Sequence, residues 1–203
     1  MSDDKEWVSI VTACHYTVFP LGPRADHPIP GKTGAARNMA SGIQEIIKGL
    51  KACEIRLTVS LPDTWLGPLL EELSRDSEIR HVPVCREEEG VALCSGFVLG
   101  GERPVLLAQN AGILSSGTGL LTLVQMNRLP LLLLVSYRGS TRDPLFYHVP
   151  KGLRTEPFLR ALDIPYAVAE SGRSLSEQVE TGFHFAQESQ GAFVLLLHKE
   201  HLS

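Results

Sequence analysis

Three runs in this chain have no polar face: "PVLLAQN" (104–110), "PLLLLVSY" (130–137) and "AFVLLLH" (192–198). Successive side chains of a strand point to opposite sides of a sheet, so a half-wet strand alternates apolar and polar residues. A strand that is apolar throughout has to be covered on both sides, which is the situation of a parallel sheet layered with helices. Each run is also far shorter than the ~18 residues that would suggest a membrane span.

The segments between these runs carry the period of a helix. Ile43, Ile46, Ile47 and Leu50 share one face, which predicts a helix over 39–52. Leu66, Leu69, Leu70 and Leu73 do the same within 64–76, and Val91, Cys94, Phe97 and Val98 within 88–100. Further helices are expected at 117–129, 152–163 and 174–189, and further strands at "IRLTVS" (55–60), "RHVPVC" (80–85) and "YAVA" (166–169). The alternation predicts an α/β fold: an open, mainly parallel sheet of about six strands with helices on both faces.

Residues 1–37 do not share this pattern. "WVSIVTACHYTVF" has room for one strand, and "PLGPRADHPIPGKTG" is broken by Pro and Gly into an irregular arm, so the domain is expected over 38–203. "PGKTG" resembles the end of a phosphate-binding loop, but that motif needs Gly where Asp26 stands. A net charge of −4 does not suit a nucleic-acid partner. The start "MSDDKEW" is unlike a secretory signal, and Cys14, Cys53, Cys85 and Cys94 form no CxxC pair, which suits reduced thiols in the cytoplasm.

In parallel α/β sheets ligands bind beyond the carboxyl ends of the strands. Four segments lie there: "LPDTW", "CREEEG", "QNAGILSSGTG" and "SYRGSTRD". The acids Glu87, Glu88 and Glu89 suit a helix start, where free N–H groups favour negative charge. Their flanks, "HVPV" and "GVALCSGF", are apolar or small, and three consecutive acids point in three directions, so at least one is expected to face inward.

Together these segments resemble a known family. "CREEEGVALCSGF" is similar to the glutamate-bearing helix start of the pyrimidine-binding (Pyr) domain of thiamine-diphosphate enzymes. "LPDTWLGPLLEEL", "QNAGILSSGTGLLTL", "LPLLLLVSYRG" and "KGLRTEPFLRALDIPY" resemble, in order, segments of the phosphonopyruvate and sulfopyruvate decarboxylases, nearest to the alpha chain of a split sulfopyruvate-type enzyme. The resemblance spans roughly residues 42–198. It implies a decarboxylase of a small anionic 2-oxo acid, releasing CO₂ and an aldehyde, with thiamine diphosphate as cofactor.

The resemblance also assigns roles. In the family the glutamate precedes a Gly-aromatic pair by nine residues; here that pair is Gly96–Phe97, which selects Glu87 and leaves Glu88 and Glu89 at the helix start. Glu87 would hydrogen-bond the aminopyrimidine of the cofactor. Asp63 and Thr64 would lie by the substrate or else cap the following helix. Gln109 and Asn110 would offer amide donors to an anion or else close a polar turn. Tyr137 and Arg138 would follow the next strand, Arg138 holding a second substrate anion or a surface ion pair. His148 and Lys151 would lie among polar groups of the site, with a structural role the alternative for His148.

Departures from the family bear on the substrate: Leu114 and Ser115 stand for Gly and Asn, and Tyr137 for a histidine. They keep open carbon–carbon bond formation with the same cofactor, and a non-catalytic binding or regulatory role. The "GDG…N" set that holds Mg²⁺ and the diphosphate does not occur in the sequence. The resemblance therefore implies a partner, a beta subunit with the diphosphate-binding (PP) domain, in an αβ or α₂β₂ assembly, with no membrane partner.

Overall fold

Burial on both faces decides where each strand lies in the sheet. Strands β1 (Leu57–Ser60), β2 (Arg80–Pro83), β3 (Pro104–Gln109), β4 (Leu131–Ser136), β5 (Tyr166–Val168) and β6 (Ala192–Leu197) form one sheet in the order β2-β1-β3-β4-β6-β5. All five pairings are parallel. β4 and β6 are buried at every position and sit inside; β2 and β5, which carry partly exposed residues, form the edges. The structure is a computed structural model that describes residues 35–202, with side chains from residue 42. The amino-terminal strand, the arm up to residue 34 and its "PGKTG" lie outside the described residues.

Helices cover both faces: α1 (Ala35–Ala52), α2 (Gly67–Arg75), α3 (Glu87–Leu99), α4 (Asn110–Ser115), α5 (Gly117–Gly119), α6 (Val149–Ala161), α7 (Leu175–Ser189) and α8 (Lys199–Leu202). On one face Val105, Leu107, Leu132, Leu134 and Leu195 meet Ile46 and Leu50 of α1, Leu69 and Leu73 of α2, and Val179 of α7. On the other, Leu106, Ala108, Leu133, Val135 and Leu196 meet Val91 and Cys94 of α3, Ile113 of α4 and Leu159 of α6. Alternate residues of one strand thus serve two cores, and burying each Leu contributes roughly 1.5–3 kcal/mol. Cys53 and Cys94 lie in opposite cores; burial pushes their thiols up, to about 11 and about 12.

Several helix boundaries differ from those expected; α2 begins at Gly67 rather than 64. Residues 35–37, grouped with the arm, are helical, as the good helix formers Ala35, Ala36 and Arg37 allow. Helix α6 begins at Val149 rather than 152, because Pro150 in its first turn has no N–H to leave unpaired. Residues 110–116, for which no element was expected beyond a polar turn at Gln109 and Asn110, are helical from Asn110 and continue through α5 into a π-helical segment (Leu120–Gln125). Their glycines serve close packing rather than a turn: a Cβ on Gly117 would lie 2.7 Å from the Phe158 ring. Among the described residues no helix is long and apolar enough to cross a membrane.

Candidate functional site

The strand order reverses between β1 and β3, since the sheet grows one way through β2 and the other through β3 and β4. Such a switch point opens a crevice at the carboxyl ends of its strands. Asp63 and Thr64 follow β1 there, Gln109 ends β3, and Arg138 follows β4.

These four form one network. The Asp63 carboxylate accepts hydrogen bonds from Ser136 Oγ (3.1 Å), Gln109 Nε2 (3.3 Å) and Arg138 Nη2. Arg138 Nη2 also donates to Thr64 Oγ1 at 2.7 Å, and its guanidinium lies over the Trp65 ring at 4.7 Å. The Asp63–Arg138 pair is buried, with side chains 5% and 7% exposed. The N-cap of helix α2 is Leu66, with no side-chain cap, so Asp63 and Thr64 do not cap it; Asp63 instead accepts the Trp65 N–H at 3.3 Å in the turn before it. Arg138 holds a buried internal carboxylate through Nη2, so the expected surface ion pair is not what forms, while its buried Nε has no partner among the described residues.

Lys151 extends the network from above. Its ammonium donates to Gln109 Oε1 at 2.8 Å, which leaves two of its three N–H groups for other acceptors. Burial, then the Arg138 charge, draws the Lys151 pKa below its ordinary value, against the pull of Asp63 and Asp143.

Asn110 is fully buried and turned inward. Its Nδ2 donates to Arg138 O and Thr155 Oγ1, both at 2.8 Å. The Thr155 hydroxyl gives its own hydrogen to Lys151 O, so Asn110 must be the donor and its amide cannot be reversed. Both expected amide donors are therefore bound within the protein, while Oδ1 has no partner among the described residues.

Tyr137 and Arg138 part company because neighbours in an extended chain face opposite ways. Ser136 and Arg138 both reach Asp63, whereas the Tyr137 hydroxyl donates to Glu156 Oε1 at 2.8 Å. Tyr137 lines a separate cavity of about 460 Å³ with Ser140, Glu156, Arg160 and His198. Burial and the Glu156 carboxylate raise its pKa.

The three acids separate cleanly. Glu89 reaches back to the Cys85 N–H (2.9 Å), and Glu88 pairs with Arg86 (3.3 Å). Both contacts tie down the start of α3, as acids in a first turn do. Glu87 is half-buried and lies on Gly112 of α4, where a Cβ would sit 2.1 Å from its carboxyl carbon. No described residue hydrogen-bonds its carboxylate. The chain thus holds an acid at the switch point with its oxygens open and a glycine beneath that makes room for it.

His148 is 4% exposed, and its Nδ1 contacts Asp143 Oδ2 at 2.6 Å. Asp143 also accepts from the N–H groups of Gly139 (2.8 Å) and Leu145 (3.0 Å). Burial alone would raise its pKa; these hydrogen bonds and His148 outweigh that and lower it. The loop closes through Gly139, at φ +78°, where a Cβ would lie 2.0 Å from His148 O. Asp143, Trp65, Ser136 and Gly112 are residues of this region that the sequence pattern did not single out. Asp143 had a signal, since Asp before Pro marks a turn; the contact of Gly112 had none.

Residues 40–154 match the family described as thiamine pyrophosphate enzyme, N-terminal TPP binding domain. The chain is 33% identical over 123 residues to the sulfopyruvate decarboxylase subunit alpha of Methanococcus maripaludis, covering 61% of this chain and 74% of that one. It is 33% identical over 136 residues to the protein of that name from Methanothermobacter thermautotrophicus, covering 67% and 82%. In fold it is similar to benzoylformate decarboxylase from Polynucleobacter necessarius, with a TM-score of 0.63 at 16% identity over 80% of this chain and 30% of that one.

Proposed function

This chain belongs to the thiamine pyrophosphate enzymes, with their N-terminal TPP binding domain, and on that premise we propose that it is the alpha, pyrimidine-domain subunit of a two-chain decarboxylase. Its substrate is a small 2-oxo acid with a second anionic group, of the sulfopyruvate or phosphonopyruvate type. The observation that carries the reading is the Glu87 carboxylate, open and seated on Gly112 at the switch point. That arrangement fits the pyrimidine half of the cofactor: a carboxyl group there can share a proton with a ring nitrogen.

Bound thiamine diphosphate would supply the carbanion chemistry that lets a 2-oxo acid lose CO₂. The chain's own residues do the rest. Glu87 holds the proton at the pyrimidine nitrogen. Lys151, with two free N–H groups and a fixed tie to Gln109, binds the substrate's second anion. The buried Asp63–Arg138 pair, with Thr64 and Ser136, fixes the loops that carry these groups, and Asn110 locks the start of α4 to α6.

The diphosphate and its Mg²⁺ would be held by a beta subunit. The relatives' designation as subunit alpha supports a partner. Among the described residues no cluster of His, Cys, Asp or Glu is arranged to hold a metal ion. The cytoplasm is the compartment that suits such an enzyme. The test is reconstitution. The chain alone should neither bind thiamine diphosphate tightly nor release CO₂ from sulfopyruvate, and adding the beta subunit should restore both. Turnover by rigorously purified single chain would overturn the two-chain reading.

A further inference from the structure

Asp143 and His148 form a dyad that the roles assigned so far leave unused. The Asp143 side chain is fully buried and keeps both oxygens occupied, by Gly139 N–H, Leu145 N–H and the imidazole. An ionised carboxylate on Nδ1 fixes the ring's orientation and places the Nδ1 hydrogen between them. Nε2 is then the ring's free atom, and no described residue hydrogen-bonds it.

The ring belongs to the same edge as the network above. It stands edge-on to Trp65 at 6.5 Å, and the face of Trp65 carries Arg138. One helical turn further on, Lys151 reaches Gln109. Asp63 is committed to Ser136, Gln109 and Arg138, and the Tyr137 hydroxyl to Glu156 in another cavity, while the N–H groups that Lys151 keeps beyond its bond to Gln109 serve the substrate's second anion. Glu87 serves the pyrimidine.

Resting on the decarboxylase reading, we infer that His148 is the catalytic residue that supplies, from Nε2, the proton replacing the lost carboxyl group. Asp143 is its positioning residue. The balance is that of the net reaction, a 2-oxo acid anion plus one proton giving an aldehyde and CO₂. The bond to the carboxyl carbon breaks and leaves its electron pair on the former carbonyl carbon. That pair forms the new C–H bond as the Nε2–H bond of the imidazolium breaks, its electrons staying on nitrogen. Water then reprotonates the ring, and no oxidant or reductant is needed.

The experiment follows a single turnover of the reconstituted complex with sulfopyruvate, quenching and measuring CO₂ and aldehyde separately. His148→Gln should release about one CO₂ per site at near the wild-type rate, while aldehyde release slows by roughly 10²- to 10⁴-fold. Asp143→Asn, which keeps the imidazole, should slow aldehyde release in the same sense. With ¹⁵N-labelled histidine in the complex, neutral His148 should carry its hydrogen on Nδ1 in wild type and on Nε2 in Asp143→Asn. Normal aldehyde release by His148→Gln, equal slowing of CO₂ and aldehyde, or a wild-type ring with its hydrogen on Nε2 would overturn this inference alone. A wild-type complex that releases no CO₂ would take the decarboxylase reading and this inference down together.

Discussion

Gly112→Ala should make the domain no less stable and yet disable it. A Cβ at this position falls 2.1 Å from the Glu87 carboxyl carbon, whereas ordinary contact begins near 3.4 Å. The carboxylate must therefore retreat by about 1.3 Å, and a misplacement of that size costs about 10²-fold in rate. The cost to folding is small, because the obstructing atoms end a flexible, half-buried side chain. Replacing Gly by Ala within helix α4 even favours the fold by up to about 1 kcal/mol. Glu87→Gln keeps the size of the side chain but removes the shared proton, and should cost roughly 10²- to 10⁴-fold. Since both changes act on one carboxylate, they should not add. The double variant should be about as slow as Glu87→Gln, a coupling of about 2.7 kcal/mol for a 10²-fold effect. The assays are kcat of the reconstituted complex, exchange of the cofactor's thiazolium proton, and thermal unfolding. Full activity in Gly112→Ala, or additive losses in the double variant, would refute the placement of Glu87.

Other consequences follow from the same geometry. Arg138→Ala strands the buried Asp63 carboxylate and should cost roughly 3–5 kcal/mol in denaturant unfolding; any kinetic loss should be equal for sulfopyruvate and pyruvate. Lys151→Met should instead raise KM for sulfopyruvate by roughly ten- to a hundredfold relative to pyruvate, the worth of one charged hydrogen bond; equal effects would remove Lys151 from the anion site. Asp143 has a folded-state pKa below its ordinary 3.8, so its contribution to stability is present above that value and lost as pH falls through the folded value. Acid titration of unfolding should show the wild-type advantage over Asp143→Asn shrinking in that window.

What could be read from the chain depended on whether the physical cause was local. β4 and β6 were legible because burial on both faces leaves its mark on every residue of the strand. The helices of the sheet faces were legible because one apolar stripe repeats every turn. Gly112 could not be placed, since glycine signals either a turn or a close approach, and only the neighbour decides which; for Gly112 the neighbour is Glu87. The Asp63–Arg138 pair joins residues 75 positions apart, and no pattern within either segment names the other. Tyr137 and Arg138 are the instructive case. The period of two that identified β4 also sends adjacent residues to opposite faces, so "SYRG" could not place both side chains in one site. Applied past the strand's end, the rule puts Ser136 and Arg138 together over Asp63 and Tyr137 away with Glu156, as found. The same reasoning shows why the departure at Tyr137 need not remove acid–base chemistry from the edge. That side chain faces another cavity, and the imidazole at the edge is reached by a different route, through the turn that Asp143 ties to Gly139 and Leu145.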